Sequence, residues 1–398
     1  MKDALKHNGE LVTVNGRKIH VYRDGSKDAP AILFMAGHCT AAPVYDFKVL
    51  YEKLLPDFRV IVVEKFGYGY SDIYPSPCDI DTLVSIQRQA LAALGETGPY
   101  ILAPHSMSGL EAIRWKQRYP DEVSAIIGID MATPLSFSCW TEKQAKSTVR
   151  LMKVLRGLRL AGLLTSVSTL ALTEEEIKQH TLLKKRNAFN PCCINEAKEV
   201  LRNAGIVRDA GNIECPTLLF SSNGEGQEKD WIEYQKEFAR QMGAKLILYD
   251  CGHYIHHGKS DEMREEITGF IRDLNAARQA EEIRKAGKEN GGETMDKREQ
   301  IERIEGMEEK LNAALAAVRA LEKAIADYRD RLEDIRALED YLTSPEWRGD
   351  FEADEAGLLP QELRRGVLSE DGISHLLEEN DEVRSALREL AENPERPF

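Results

Sequence analysis

Through its first 275 or so residues the chain repeats one pattern, a short run of β-branched and aliphatic residues followed by a longer stretch with helical spacing. Runs that are apolar throughout cannot keep one face in water. They read as strands covered on both sides, and strands separated by helical lengths read as a parallel sheet with crossover helices. The strand runs are LVTV, KIHVY, AILFMAG, VIVVEKFG, YILAPHS, AIIGID, TLLFSS and KLILYD, of which the last six are the continuously apolar ones, and together they predict a mostly parallel eight-stranded sheet. The first two flank Asn15-Gly16, a dipeptide suited to a type I′ hairpin, so the sheet is expected to begin antiparallel.

Between about residues 133 and 212 the strand runs give way to helical segments such as TVRLMKVLRGLRLAGLL and INEAKEVLRNAG, which predicts a helical cap. The first segment mixes Arg150, Lys153, Arg156 and Arg159 with leucines, as helices lying on a membrane surface do; a lid over a pocket accounts for the same pattern. The cap belongs to a domain over 1–285, a polar Gly-Gly linker follows at 286–296, and 297–398 reads as all helix. There, apolar residues recur every three or four positions from Ile304 to Leu342. A single helix about 40 residues and roughly 60 Å long would carry them on one face, and it needs a partner. Ile373, Leu376, Leu377, Val383, Leu387 and Leu390 line a second helix that Ser369 is placed to cap. A helical hairpin is expected, with dimerisation or a protein partner on the same helices. Between the two, Asp350, Glu352, Asp354 and Glu355 lack the spacing of an EF-hand and read as a solvated acidic turn.

Charge and cysteine usage narrow the partners. A net charge of -14 repels polyanions, so nucleic acid is not an expected partner. The 7 cysteines show no CxxC spacing, which points away from a disulfide framework or a zinc site and towards a reduced, cytoplasmic protein without a metal. The opening MKDALKHNGELVTVNG has no apolar targeting core, and no run approaches the ~18 to 20 apolar residues of a membrane span.

The stretch Pro104-His105-Ser106-Met107-Ser108-Gly109 joins a strand to a helix through small residues. A tight strand-to-helix turn lifts a serine hydroxyl clear of the sheet and aims nearby N–H groups at an oxyanion, so Ser106 is a candidate nucleophile. With this elbow the sequence resembles the α/β-hydrolase superfamily over about residues 10–275. FMAGHCT at 34–40 is similar to that family's loop after the third strand, and EKFGYGYSD at 64–72 to its D-x-x-G-x-G-x-S-D segment. YDCGHYIHHGKSDE at 249–262 resembles its G-H-x-x-H segment. The resemblance implies an α/β-hydrolase fold, oxyanion donors at the backbone N–H groups of His38 and Met107, and His253 as catalytic base. His105, His256 and His257 are expected to pack or hydrogen-bond nearby. Pro104, Ala36 and Glu64 depart from the family's usual glycine, histidine and aspartate.

Two carboxylates stand in the order serine, acid, histidine. Glu225, in SSNGEG, holds the family's usual place after the strand TLLFSS, whereas Asp130 ends the strand AIIGID and is fixed to rigid sheet. Both remain open at this level. The expected function is a serine hydrolase acting on a small-molecule acyl substrate without a cofactor. Esters come first; amide or aminoacyl bonds are included because the capped arrangement also resembles proline iminopeptidases. The reading from another class is a noncatalytic ligand-binding module with a protein-recruiting hairpin. The tail, about 296–392, resembles a small uncharacterised bacterial helical domain, and Met295 resembles the start of a reading frame that was fused on.

Overall fold

Each of the eight apolar runs forms a strand: β1 (Glu10–Val14), β2 (Arg17–Asp24), β3 (Ala31–Met35), β4 (Arg59–Glu64), β5 (Tyr100–Pro104), β6 (Val123–Ile129), β7 (Thr217–Ser221) and β8 (Lys245–Leu248). They form one sheet in the order β1-β2-β4-β3-β5-β6-β7-β8. β2 runs antiparallel to both β1 and β4, and every other pairing is parallel. Asn15 and Gly16 both take positive φ (50° and 72°), as the primed hairpin turn requires. This computed structural model describes residues 5–157, 171–225, 227, 229–289, 295–360, 363, 365–369 and 372–392.

Side chains alternate across the sheet, so neighbouring residues of one strand serve two cores. Leu33 and Met35 pack with Leu110, Ile113 and Trp115 on one face. Ile32 and Phe34 pack with Phe47, Leu50, Met263 and Ile267 on the other. Double coverage is why β3 through β7 read as apolar throughout. Between β6 and β7 lie the cap helices Glu142–Gly157, Glu174–Asn187 and Pro191–Asp209. Thr173 and Glu176 close a capping box on the second, and Asn190 with Pro191 starts the third. Arg159 of the basic segment lies outside the described residues.

A buried ion cluster ties the cap to the body. The Lys65 ammonium lies 2.7 Å from Glu111 Oε1 and 2.6 Å from Glu196 Oε1, with all three side chains at most 5% exposed. Tyr68 donates to Glu196 and Gln87 to Glu111. Lys65 follows β4, Glu111 sits on the helix Ser108–Arg118, and Glu196 is on a cap helix, so one cation joins three elements. Replacing Lys65 with methionine leaves two carboxylates buried without their counterion, and the expected loss is about 3–5 kcal/mol of unfolding free energy. Urea unfolding measures it; a loss under about 1 kcal/mol would mean that the cluster is not a structural tie.

The chain divides into two units, 1–285 and 286–398. One helix runs Ser260–Glu289 and the next begins at Met295, and 290–294 lie outside the described residues. In the second unit the long apolar stripe is not one helix, because the chain breaks at Arg331 between Met295–Asp330 and Leu332–Leu342. The expected acidic turn is largely a helix, Pro345–Glu355, with Ser344 capping it through Trp347 N–H. Ser369 donates its hydroxyl to the Gly366 carbonyl, and the last helix runs Gly372–Glu392. That helix packs on Leu332–Leu342, and Tyr328 reaches it through a 2.5 Å bond to Asn380 Oδ1. The stripe residues Ile304, Met307, Leu311, Val318 and Ile325 remain 37–59% exposed. Among the described residues no helix is long and apolar enough to cross a membrane.

Candidate active site

β5 ends at Pro104 and the helix Ser108–Arg118 begins four residues later, so Ser106 must reverse the chain in almost no length. It does so at φ +53°, in the left-handed region that a serine avoids. Backbone bonds hold the turn: His105 N–H donates to Met35 O (3.0 Å), and Ala132 N–H donates to Ser106 O (2.8 Å). Ser108, fully buried where the elbow's second glycine usually stands, has its hydroxyl 2.7 Å from Met35 O and 2.8 Å from His105 O. The glycine that closes the packing is the next residue. A Cβ on Gly109 would lie 2.1 Å from the Ala132 carbonyl oxygen, and one on Gly37 2.8 Å from the Ser106 Cβ. Pro104 ends β5 without an N–H to donate, and the pairing with β3 continues through His105 N–H.

The loop carrying His38 passes beside the elbow. Among the described residues neither the His38 nor the Met107 backbone N–H has a protein acceptor. The His38 side chain turns the other way, and its Nε2 donates to the Cys193 carbonyl of the cap at 2.9 Å. Cys39 follows at φ +61°, with its N–H bonded to the Tyr68 hydroxyl. Glu64 is fully buried and organises the loop after β4, accepting from Tyr70 N–H (2.7 Å), Val44 N–H (3.1 Å) and His20 (2.9 Å).

His253 follows β8, and its Nδ1 lies 2.6 Å from Asp130 Oδ2. The carboxylate that reaches it is therefore Asp130 and not Glu225, which is exposed in the loop after β7 with its backbone N–H bonded to Asn223 Oδ1. Asp130 is fully buried, at φ +44°, just beyond β6. Its other oxygen accepts from Trp231 Nε1 (2.7 Å), Ser222 N–H (3.0 Å) and the Ser221 hydroxyl (3.1 Å). Burial by itself would raise the carboxyl, but the His253 imidazole and the bonds from Ser222 and Trp231 outweigh it and hold Asp130 below the ordinary value. With Asp130 ionised and accepting, His253 Nδ1 is the donor of this bond, and Nε2 is the ring nitrogen that Asp130 leaves unengaged.

A second imidazole braces the first. His105 Nε2 donates to the His253 carbonyl at 3.3 Å, and the two rings lie 4.6 Å apart. Since a carbonyl only accepts, the proton sits on Nε2 and the buried Nδ1 has no partner. Burial, then the adjacent His253 and His256, push His105 well below its ordinary value and keep it neutral. In the unfolded chain it protonates near pH 6.5. Stability that is complete above about pH 6.5 is consequently lost as the pH falls below it. The melting temperature is expected to drop between about pH 7.5 and pH 5, and to drop less steeply in His105→Gln. Parallel curves for the two proteins would contradict this.

His256 and His257 both bond Asp46, at 3.3 and 3.1 Å, anchoring the turn that follows His253. Their nearest ligand atoms lie within 4.8 Å of one another, which makes these residues a group that could hold a metal ion. Both carboxylate oxygens are already engaged by imidazoles. Burial opposes ionisation of Asp46, yet those two bonds hold it far below the usual carboxylate range.

Sheet order, elbow and the Asp130–His253 pair together define the class. The chain belongs to the α/β-hydrolase superfamily; the profile of the α/β hydrolase fold matches residues 30–170, and a domain of unknown function, DUF4298, matches 304–390. Among curated relatives, the uncharacterized protein YbdG of Bacillus subtilis is 45% identical over 292 residues, 67% of this chain and 87% of its own. Among solved structures, a loop variant of the haloalkane dehalogenase of Bradyrhizobium elkanii matches with a TM-score of 0.52 at 18% identity, over 68% of this chain and 98% of its own. The enol-lactonase of Burkholderia xenovorans matches with a TM-score of 0.51 at 18% identity, over 66% of this chain and 100% of its own. At that identity the structural matches speak to the fold.

Proposed function

We propose that the protein is a serine hydrolase that cleaves an ester bond of a small acyl substrate through a covalent acyl-enzyme. Two observations carry this reading, the 2.6 Å bond from His253 Nδ1 to Asp130 and a serine held at φ +53° on the strand-to-helix turn. Ser106 Oγ attacks the acyl carbon while His253 Nε2 takes its proton. The N–H groups of His38 and Met107 receive the oxyanion, and His253 returns the proton to the leaving alkoxide. A water then repeats the sequence on the acyl-serine, releasing the acid.

Serine at the elbow also sets the bond type. Attack by a hydroxyl on a halogen-bearing or epoxide carbon would form an ether, which water does not cleave under these conditions. Attack on an acyl carbon forms an ester, which the same histidine can hydrolyse. This chemistry favours the carbonyl substrate class over alkyl halides, although the fold accommodates either. A panel of p-nitrophenyl esters and aminoacyl anilides, with Ser106→Ala as control, tests the reading. Turnover that vanishes in the control supports it and the preferred member names the substrate class. No turnover above the control across the panel would favour the noncatalytic ligand-binding module.

A further inference from the structure

Two helices of the cap face each other across a groove of about 640 Å³, a size typical of small-molecule sites. Glu142–Gly157 lines it with Lys146, Arg150 and Lys153, and Pro191–Asp209 lines it with Lys198 and Arg202. These spacings, i, i+4, i+7 on one helix and i, i+4 on the other, put each cation row on a single helix face. Apolar surface lies between the rows: Ala145 and Val149, each under 10% exposed, and the partly buried Leu201.

Among the described residues one carboxylate, Glu142, lines the groove, and it is committed to Lys146 at 2.8 Å. Arg202 pairs weakly with Glu199 at 3.3 Å, outside the groove lining. Arg150 and Lys153 have no ion-pair partner among the described residues. On a chain of net charge -14, such a reversal of sign is a local feature and not the background field.

We propose that this groove binds a single-chain amphiphile with an anionic head group, a fatty carboxylate or an alkyl phosphate. The chain covers Ala145, Val149 and Leu201, and the head lies between Arg150 and Lys153 on one side and Lys198 and Arg202 on the other. Apolar chain and anionic head answer the two halves of the lining; a neutral alcohol would satisfy only the first. The assignment stands whether or not Ser106 performs hydrolysis, because the groove lies on the cap's own helices.

Calorimetric titration of the full chain with laurate and dodecyl phosphate below their micelle concentrations tests it, with dodecanol and dodecyltrimethylammonium as controls. The double variant Arg150→Glu, Lys153→Glu changes exposed side chains only. The expected result is binding of the two anions that weakens by about tenfold or more in the variant, with an unchanged melting temperature. Binding of dodecanol as tight as laurate, or laurate binding that ignores the charge reversal, would overturn the proposal. Cosedimentation with phosphatidylglycerol vesicles separates free ligand from lipid surface. Vesicle binding without laurate binding would assign the patch to a membrane and likewise overturn it.

Discussion

Ser106→Ala is expected to reduce turnover of the best p-nitrophenyl ester by about 10⁶-fold, because the hydroxyl removed is the atom that forms the acyl-enzyme. Melting should change little, since alanine meets the same φ of +53° that serine does and the bonds holding the turn, His105 N–H to Met35 O and Ala132 N–H to Ser106 O, are backbone bonds. Ser106→Gly separates strain from chemistry. A serine in the left-handed region costs on the order of 1–2 kcal/mol that glycine does not, so this variant should be equally inactive and about 1 kcal/mol more stable. Steady-state kinetics with urea unfolding read both effects. Activity within tenfold of wild type in either variant would remove Ser106 from the reaction.

The second large effect belongs to the acid. Asp130→Asn is expected to lower turnover by about 10⁴-fold, while Glu225→Ala stays within about twofold of wild type. The amide oxygen keeps the donors Trp231, Ser222 and Ser221, so its NH2 faces His253 Nδ1, the proton moves to Nε2 and the lone pair needed to accept from Ser106 is lost. The bonds from Trp231 and Ser222 fix the carboxylate in the same way, and Trp231→Phe should give an intermediate loss by freeing Asp130 to turn. An equal fall in Asp130→Asn and Glu225→Ala would show that the 2.6 Å contact is not the one that orients the base.

Strands β3 through β7 were legible in the sequence because burial on both faces leaves few polar positions to blur the run, whereas β1 and β2 were legible from the Asn15-Gly16 turn between them. Ser106, His253 and the two candidate acids could be nominated for another reason: the elbow and the family segments are local. Choosing between Asp130 and Glu225 was not local. It depends on where β8 delivers His253, 123 residues from its partner. Trp231 was missed for the same reason, since its donor finds Asp130 across 101 residues. A buried indole N–H needs an acceptor, which is a reason to ask but not an answer.

Errors in the second unit came from trusting periodicity too far. Tyr328, Leu332 and Ile335 keep helical spacing across the break at Arg331, so the pattern carries no trace of it. The helix Pro345–Glu355 did announce itself, with serine at the cap and proline at the first position. Its acidic residues drew the reading towards a turn, although charge on an exposed helix face is equally well solvated.

The most direct measurement is covalent trapping. The folded full-length protein, treated with a fluorophosphonate and digested, should yield one phosphonylated peptide containing Ser106, and labelling should collapse in His253→Ala. An unlabelled Ser106 in folded protein, or an adduct that forms equally well without the imidazole, would contradict the account.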